Sequence, residues 1–340
     1  MLTRRKFSHL AAGASLGGAS LLGTRKASSA DAEFNYKFAC SVGTDDPVTI
    51  YAQKVADRIK DETKGRLVIQ IFANSQLGTE NVVLSALRSG GVEFSTAPSN
   101  TLGNLTLMSQ VSDIGFAYRD YETAWKSLDG DLGKIVRSEV AKFGITLMDK
   151  VWDSGFRQTY TSAKPLNSAS DFNGLKIRVP VAPISFSIFK GMGAAPVSIG
   201  FAEVYSALQT HLADGMETAP IAFLNAKLFE VQKIVNVTNH QWGNYWIACN
   251  TAALNRLPPD IQKIVVTAFN EGADQQRQFN KKENIGAVDA LKQKGMTVVT
   301  PSDPQSFRDA LKKSGYYASW KEKFGNEAWT TLEKYSGSLA

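Results

Sequence analysis

Apolar and polar positions alternate over 34–42, 67–72 and 92–96, which predicts strands. Between them Tyr51, Val55 and Ile59 recur at helical spacing, Gly65 stops that helix, and 79–89 reads as a second helix. Strand and helix in turn imply a parallel sheet with helices on its faces. A second set begins near residue 145, with strands over 145–152, 156–162 and 175–179 and helices over 184–191 and 201–209. After Asn236 the chain becomes extended and aromatic through Trp242, Tyr245 and Trp246, residues placed either at the floor of a pocket or in hinge packing. A long helix then opens at Pro258-Pro259-Asp260. Its apolar stripe of Ile261, Ile264, Val265, Ala268 and Phe269 continues to Leu291. About 30 residues of helix exceed what one small lobe requires, so this element is expected to brace two. A short strand over 296–300 and a helical tail from Pro304, packed through Trp320, Phe324 and Trp329, complete the chain.

The predicted fold class is therefore α/β with two lobes. Lobe I covers 31–154 and lobe II 155–243; 244–284 returns to lobe I with the long helix, and 285–340 packs on lobe II. The first 30 residues stand apart. Arg4-Arg5-Lys6-Phe7 precedes an uncharged stretch, too short to span a bilayer, and then small residues up to Ala30. This is an export leader of the twin-arginine type, or a Sec leader with a chance arginine pair, and the mature chain is expected to be soluble in the periplasm.

The leader also corrects the charge. The full chain carries +6, but Arg4, Arg5, Lys6, Arg25 and Lys26 all precede Asp31 and no acid does, which leaves about +1. No basic field points to nucleic acid. Cys40 and Cys249 are the only cysteines and read as two buried free thiols rather than a bridge.

Twin-arginine export often accompanies a redox cofactor, so an exported oxidoreductase or hydrolase is the first alternative. The ligands for one are missing. Only His211 and His240 follow the leader, and there is no C-x-x-C, H-E-x-x-H, D-x-D-x-D-G or G-x-S-x-G, so no metal or cofactor is expected. Gly191-Met192-Gly193 closes a helix more readily than it cradles phosphate. Asp45-Asp46 reads as a pair of solvated loop charges.

The segment D-F-N-G-L-K-I-R-V-P at 171–180 places Arg178 in a short strand whose Leu175, Ile177 and Val179 alternate with Lys176 and Arg178. A guanidinium holds its charge and offers a planar fork that fits a carboxylate or phosphate. By residues alone this is either an anion contact or a surface arginine on an edge strand. Ser198 is placed to cap a helix near Gly200, which would turn free N–H groups toward an anion.

The ordered segments G-F-R-Q-T-Y, D-F-N-G-L-K-I-R-V-P, F-A-E-V-Y-S-A-L-Q-T, A-D-G-M-E and A-K-L-F-E-V-Q-K, with Q-L-G-T-E and T-N-H, span essentially the whole chain after the leader. Together they resemble the extracytoplasmic solute receptors of tripartite ATP-independent periplasmic (TRAP) transporters. That resemblance implies a two-lobed periplasmic binding protein with a ligand cleft between its lobes, handing a small organic acid to a membrane permease. It further implies that Arg178 forms a bidentate salt bridge with the ligand carboxylate, that Arg157 supplies a second charge contact and that Phe201 lines the pocket. Neither guanidinium has an acid near it in sequence, so a ligand is expected to supply the counter-charge.

The departures concern the substrate. Sialic-acid receptors of this family carry an Asn after D-G-x-E, where this chain has Thr218. They also carry an Asn in the first strand and an acid two residues before the next loop, where this chain has Ser41 and Pro98. The resemblance therefore points away from a polyhydroxylated acid and toward a smaller or more apolar one, with Trp152 either an aromatic wall or plain core. A receptor that signals to a partner, rather than feeding a permease, is the remaining alternative.

Overall fold

The computed structural model describes residues 32–339, so the expected leader lies outside the described residues. Ten strands form one sheet: β1 (Phe34–Ala39), β2 (Leu67–Phe72), β3 (Phe94–Pro98), β4 (Ile145–Leu147), β5 (Trp152–Thr161), β6 (Lys176–Val179), β7 (Ala195–Ser198), β8 (Gly215–Thr218), β9 (Ile234–Asn250) and β10 (Thr297–Val299). Their order is β2-β1-β3-β9-β5-β8-β6-β7, with β4 and β10 also on β9. The α/β class and two-lobed plan hold, but the sheet is mixed rather than parallel. β1 runs parallel to β2 and β3, and β6 to β7 and β8, because helical crossovers join them. β9 instead runs antiparallel to β3, β4 and β5, and β5 antiparallel to β8. At 17 residues, β9 is long enough to pass through both halves. The strand expected over 145–152 is two strands, since the chain turns after Leu147 and re-enters the sheet at Trp152.

The long helix, Pro259–Gln293, spans 35 residues and starts on a proline that needs no helical N–H partner. Ile261, Val265, Ala268 and Phe269 pack with Phe38, Phe94 and Trp152 in the core of the first half. Leu291, at the other end, joins Val235, Met216 and Phe223 in the second. A brace across both halves is thus what its length provides. Gly272 sits where this helix crosses Pro47–Glu62, and a Cβ there would stand 2.5 Å from Val55 Cγ2. Gly272→Ala should therefore lower stability by about 1 kcal/mol, overpacking of roughly 1–3 kcal/mol outweighing the helix-propensity gain of about 1 kcal/mol. A higher urea midpoint for the variant would show that Val55 yields instead.

Near the C-terminus, Gln305–Lys313 lies on Pro183–Gly191, in the second half. Tyr316–Ser336 lies mainly on Leu107–Asp113, Tyr121–Asp129 and Asp131–Ala141, so the tail touches both halves. Cys40 and Cys249 are buried and free. Gly193, at φ 90°, ends the turn after Pro183–Gly191, the structural role expected of it. Asp46 is not a solvated charge. It is buried, its carboxylate accepts from Val48 N at the start of Pro47–Glu62, and burial pushes its carboxyl up to about 7.

Candidate functional site

Arg178 stands on β6, between core residues Ile177 and Val179, and is 1% exposed. Its Nε and Nη2 both donate to the Ile199 carbonyl, at 2.8 and 2.6 Å, which fixes the plane of the guanidinium. Among the described residues no acid forms an ion pair with it. Burial lowers it to about 10, so it stays charged at neutral pH. The Phe201 ring centre lies 5.9 Å from its central carbon.

Arg157 is placed differently from expectation, because the chain supplies its counter-charge. Glu217 on β8 faces Thr159 on β5, which puts its side chain on the same face as Arg157. Arg157 Nε donates to Glu217 Oε2 at 2.5 Å and Nη2 to Oε1 at 2.8 Å, a bidentate pair. His240 Nε2 donates to Glu217 Oε2 at 3.2 Å while its Nδ1 accepts from the Thr238 hydroxyl at 2.9 Å. Burial keeps that imidazole below its ordinary range, which suits the neutral form. Burial alone would raise Glu217, but Arg157 and His240 override it and hold the carboxylate well below the usual range. The acid sits 60 residues from Arg157 in sequence and was therefore out of local view.

Both arginines line one cleft of about 550 Å³, its opening to solvent included. Ser41, Pro98, Phe201 and Thr218 line it with them. Trp152 does not. Its indole is buried in the core of the first half, where Nε1 donates to Phe269 O at 3.2 Å, so it builds no wall of the cleft. Of the aromatic group on β9, Tyr245 lines the cleft, while Trp242 and Trp246 are buried behind it and donate to Asp153 and Ser99. Ser198 ends β7 and caps nothing; Gly200 holds the cap position of a single 3-10 turn, Phe201–Glu203, that precedes Val204–Gln209.

Seven polar residues of the lining were missed: Ser99, Asn100 and Ser154, and four that bear most on the chemistry, Glu80, Asp113, Gln241 and Asn244. Glu80 opens the helix Glu80–Ser89 and accepts from Ser41 Oγ at 3.0 Å and Thr101 Oγ1 at 3.4 Å. It closes the Q-L-G-T-E segment, the one signal that marked it. Asp113 is 2% exposed, and burial pushes its carboxyl well above the usual range against the pull of Arg157. Gln241 and Asn244 both come from β9 and carry no local mark. The lining is thus more polar than Ser41, Pro98 and Thr218 suggested.

No group of three or more His, Cys, Asp and Glu able to hold a metal occurs among the described residues, and no described helix is long and apolar enough to cross a membrane. A buried, oriented cation facing an enclosed cleft between two lobes defines a receptor for an anion. The chain belongs to the bacterial extracellular solute-binding proteins, family 7, whose model matches residues 38–322. It is a solute receptor of this family and not an enzyme.

It is 31% identical over 275 residues to the 2,3-diketo-L-gulonate-binding periplasmic protein YiaO of Escherichia coli, covering 81% of this chain and 84% of that one. It is 32% identical over 262 residues to the C4-dicarboxylate-binding periplasmic protein DctP of Rhodobacter capsulatus, covering 77% and 78%. Among solved structures, a TRAP periplasmic solute-binding protein from Polaromonas bound to D-erythronate superposes with a TM-score of 0.85 at 26% identity, covering 90% of this chain and 100% of that one.

Proposed function

We propose that this receptor works in the periplasm, exported by its leader, and delivers a small organic acid anion to a TRAP-type permease. The observation that carries this reading is Arg178, a buried cation held rigid by the Ile199 carbonyl and without an acid partner among the described residues. A buried charge left unpaired is costly, and a ligand carboxylate removes that cost. Relatives named for binding diketogulonate and dicarboxylates support an acid ligand, as does the neighbour holding D-erythronate.

In this reading the carboxylate docks on Arg178, and Arg157, kept in place by Glu217, offers its remaining N–H groups from the side. Phe201 and Thr218 pack from lobe II, Ser41 and Pro98 from lobe I. The lobes divide at the β5 and β9 crossings, near residues 154 and 243, with the long helix as the brace. Closure is then driven by contacts that exist only when both lobes touch the ligand. The tie from Asn225 Nδ2 to the Asp45 carbonyl, 3.4 Å, is of the sort that closure adds at the mouth.

A melting screen of organic acids against neutral sugars and cations should show acids alone raising the transition temperature. Arg178→Ala should abolish that rise and weaken the best acid by more than tenfold in calorimetry, in keeping with about 1.5–3 kcal/mol for a charged hydrogen bond. Unchanged affinity in a folded variant would refute the role given to Arg178.

A further inference from the structure

We infer that the cleft selects a monocarboxylate carrying several hydroxyl groups, and that it discriminates against dicarboxylates and unsubstituted acids. The inference rests on Arg178 as the carboxylate clamp and extends it to the remainder of the ligand.

The first step is a count of charges. Of the two cations among the described lining residues, Arg157 is already neutralised by Glu217, which it grips through two nitrogens. Arg178 alone is left without an acid partner, so the cleft has one place for one carboxylate. A second carboxylate on the same ligand would meet Glu80 instead, and like charges in an enclosed site repel.

The second step is a count of hydrogen bonds. Gln241 is 3% exposed and lines the cleft, yet its Oε1 accepts from nothing among the described residues. A buried carbonyl requires a donor, and here the donor must come from what fills the cleft. Glu80 is likewise an acceptor: with Ser41 and Thr101 satisfying part of its capacity, each oxygen retains a free lone-pair direction. An unsubstituted chain has no donor for either group, whereas hydroxyl hydrogens serve both. Gln241 faces Arg157 across the β5–β9 ladder and Glu80 belongs to the first half, so the two readers address the ligand from different sides.

Calorimetric titration of the full chain against three sets of four- to six-carbon acids tests this: aldonates and uronates, the unsubstituted monocarboxylates of equal length, and the dicarboxylates of equal length. The best hydroxylated acid should bind at least tenfold tighter than any member of the other sets. A dicarboxylate or unsubstituted acid that equals it overturns the inference, while the clamp survives if Arg178→Ala removes that binding. If no acid in any set binds, the clamp falls as well.

Gln241→Met should weaken the hydroxylated acid at least fivefold and melt no lower than the parent without ligand, since its carbonyl has no partner among the described residues to lose. Glu80→Gln should narrow the preference over dicarboxylates by a similar factor. If neither variant alters the selectivity, the assignment of these two residues is wrong.

Discussion

Glu217→Gln is expected to lower the unfolding free energy at neutral pH by about 3–5 kcal/mol, the usual cost of leaving one member of a buried ion pair uncompensated. Glu217 is wholly buried, and both its oxygens are taken, one by Arg157 and the other by Arg157 and His240. Glutamine keeps the shape but turns an NH₂ toward one of these donors and removes the charge that pairs with Arg157. The pH dependence separates this from a packing effect. The folded carboxylate lies well below its ordinary value of 4.5, so its contribution is complete above that value and is lost as pH falls beneath it. The gap between parent and variant should therefore shrink by about 2 kcal/mol between pH 7 and pH 3 in urea titrations. A gap of constant size would mean that the charge contributes nothing.

What could be read in the sequence were features with a local period. Leu67–Phe72 and the long helix announced themselves through alternation and a 3.6-residue stripe, and residues 171–180 brought Arg178 to notice because a charge interrupted an apolar strand. The mixed sheet was hidden, since nothing in 236–250 states that the strand returns antiparallel through the middle of both halves. Arg157 and Glu217 were each inside recognisable segments, but their pairing depends on the register of β5 against β8. Asp113 and Gln241 look like surface residues until the strands and the turn Leu107–Asp113 close over them. Asp46 is an instance of a legible signal misread, because an acid directly before a proline and an apolar-periodic run is a helix start.

The opposite response to pH is expected at Asp153, where β5 changes register between Asp153 and Gly155 as it crosses β9. The side chain is fully buried and accepts from Trp125 Nε1 at 3.2 Å, Trp242 Nε1 at 2.6 Å and Asn280 Nδ2 at 2.7 Å. Its backbone N–H and carbonyl, which the irregular ladder leaves free, go to the Gln276 amide at 2.9 Å each. Three elements thus meet on one carboxylate: Tyr121–Asp129, β9 and the long helix. Asp153→Ala orphans three buried donors, each worth about 1–3 kcal/mol, so a total loss of about 4 kcal/mol is expected.

Burial raises this carboxyl from 3.8 to about 6, against the pull of its three donors. A raised acid contributes fully below its unfolded value and loses that contribution as pH climbs through the folded one. The Asp153→Ala deficit should therefore be greatest near pH 4 and fall by up to about 3 kcal/mol by pH 7, while the Glu217→Gln deficit grows over the same interval. Urea midpoints for both variants at pH 4 and 7 decide the matter. Deficits that move in the same direction would show that Asp153 is held as a charge by its donors, with burial the lesser influence.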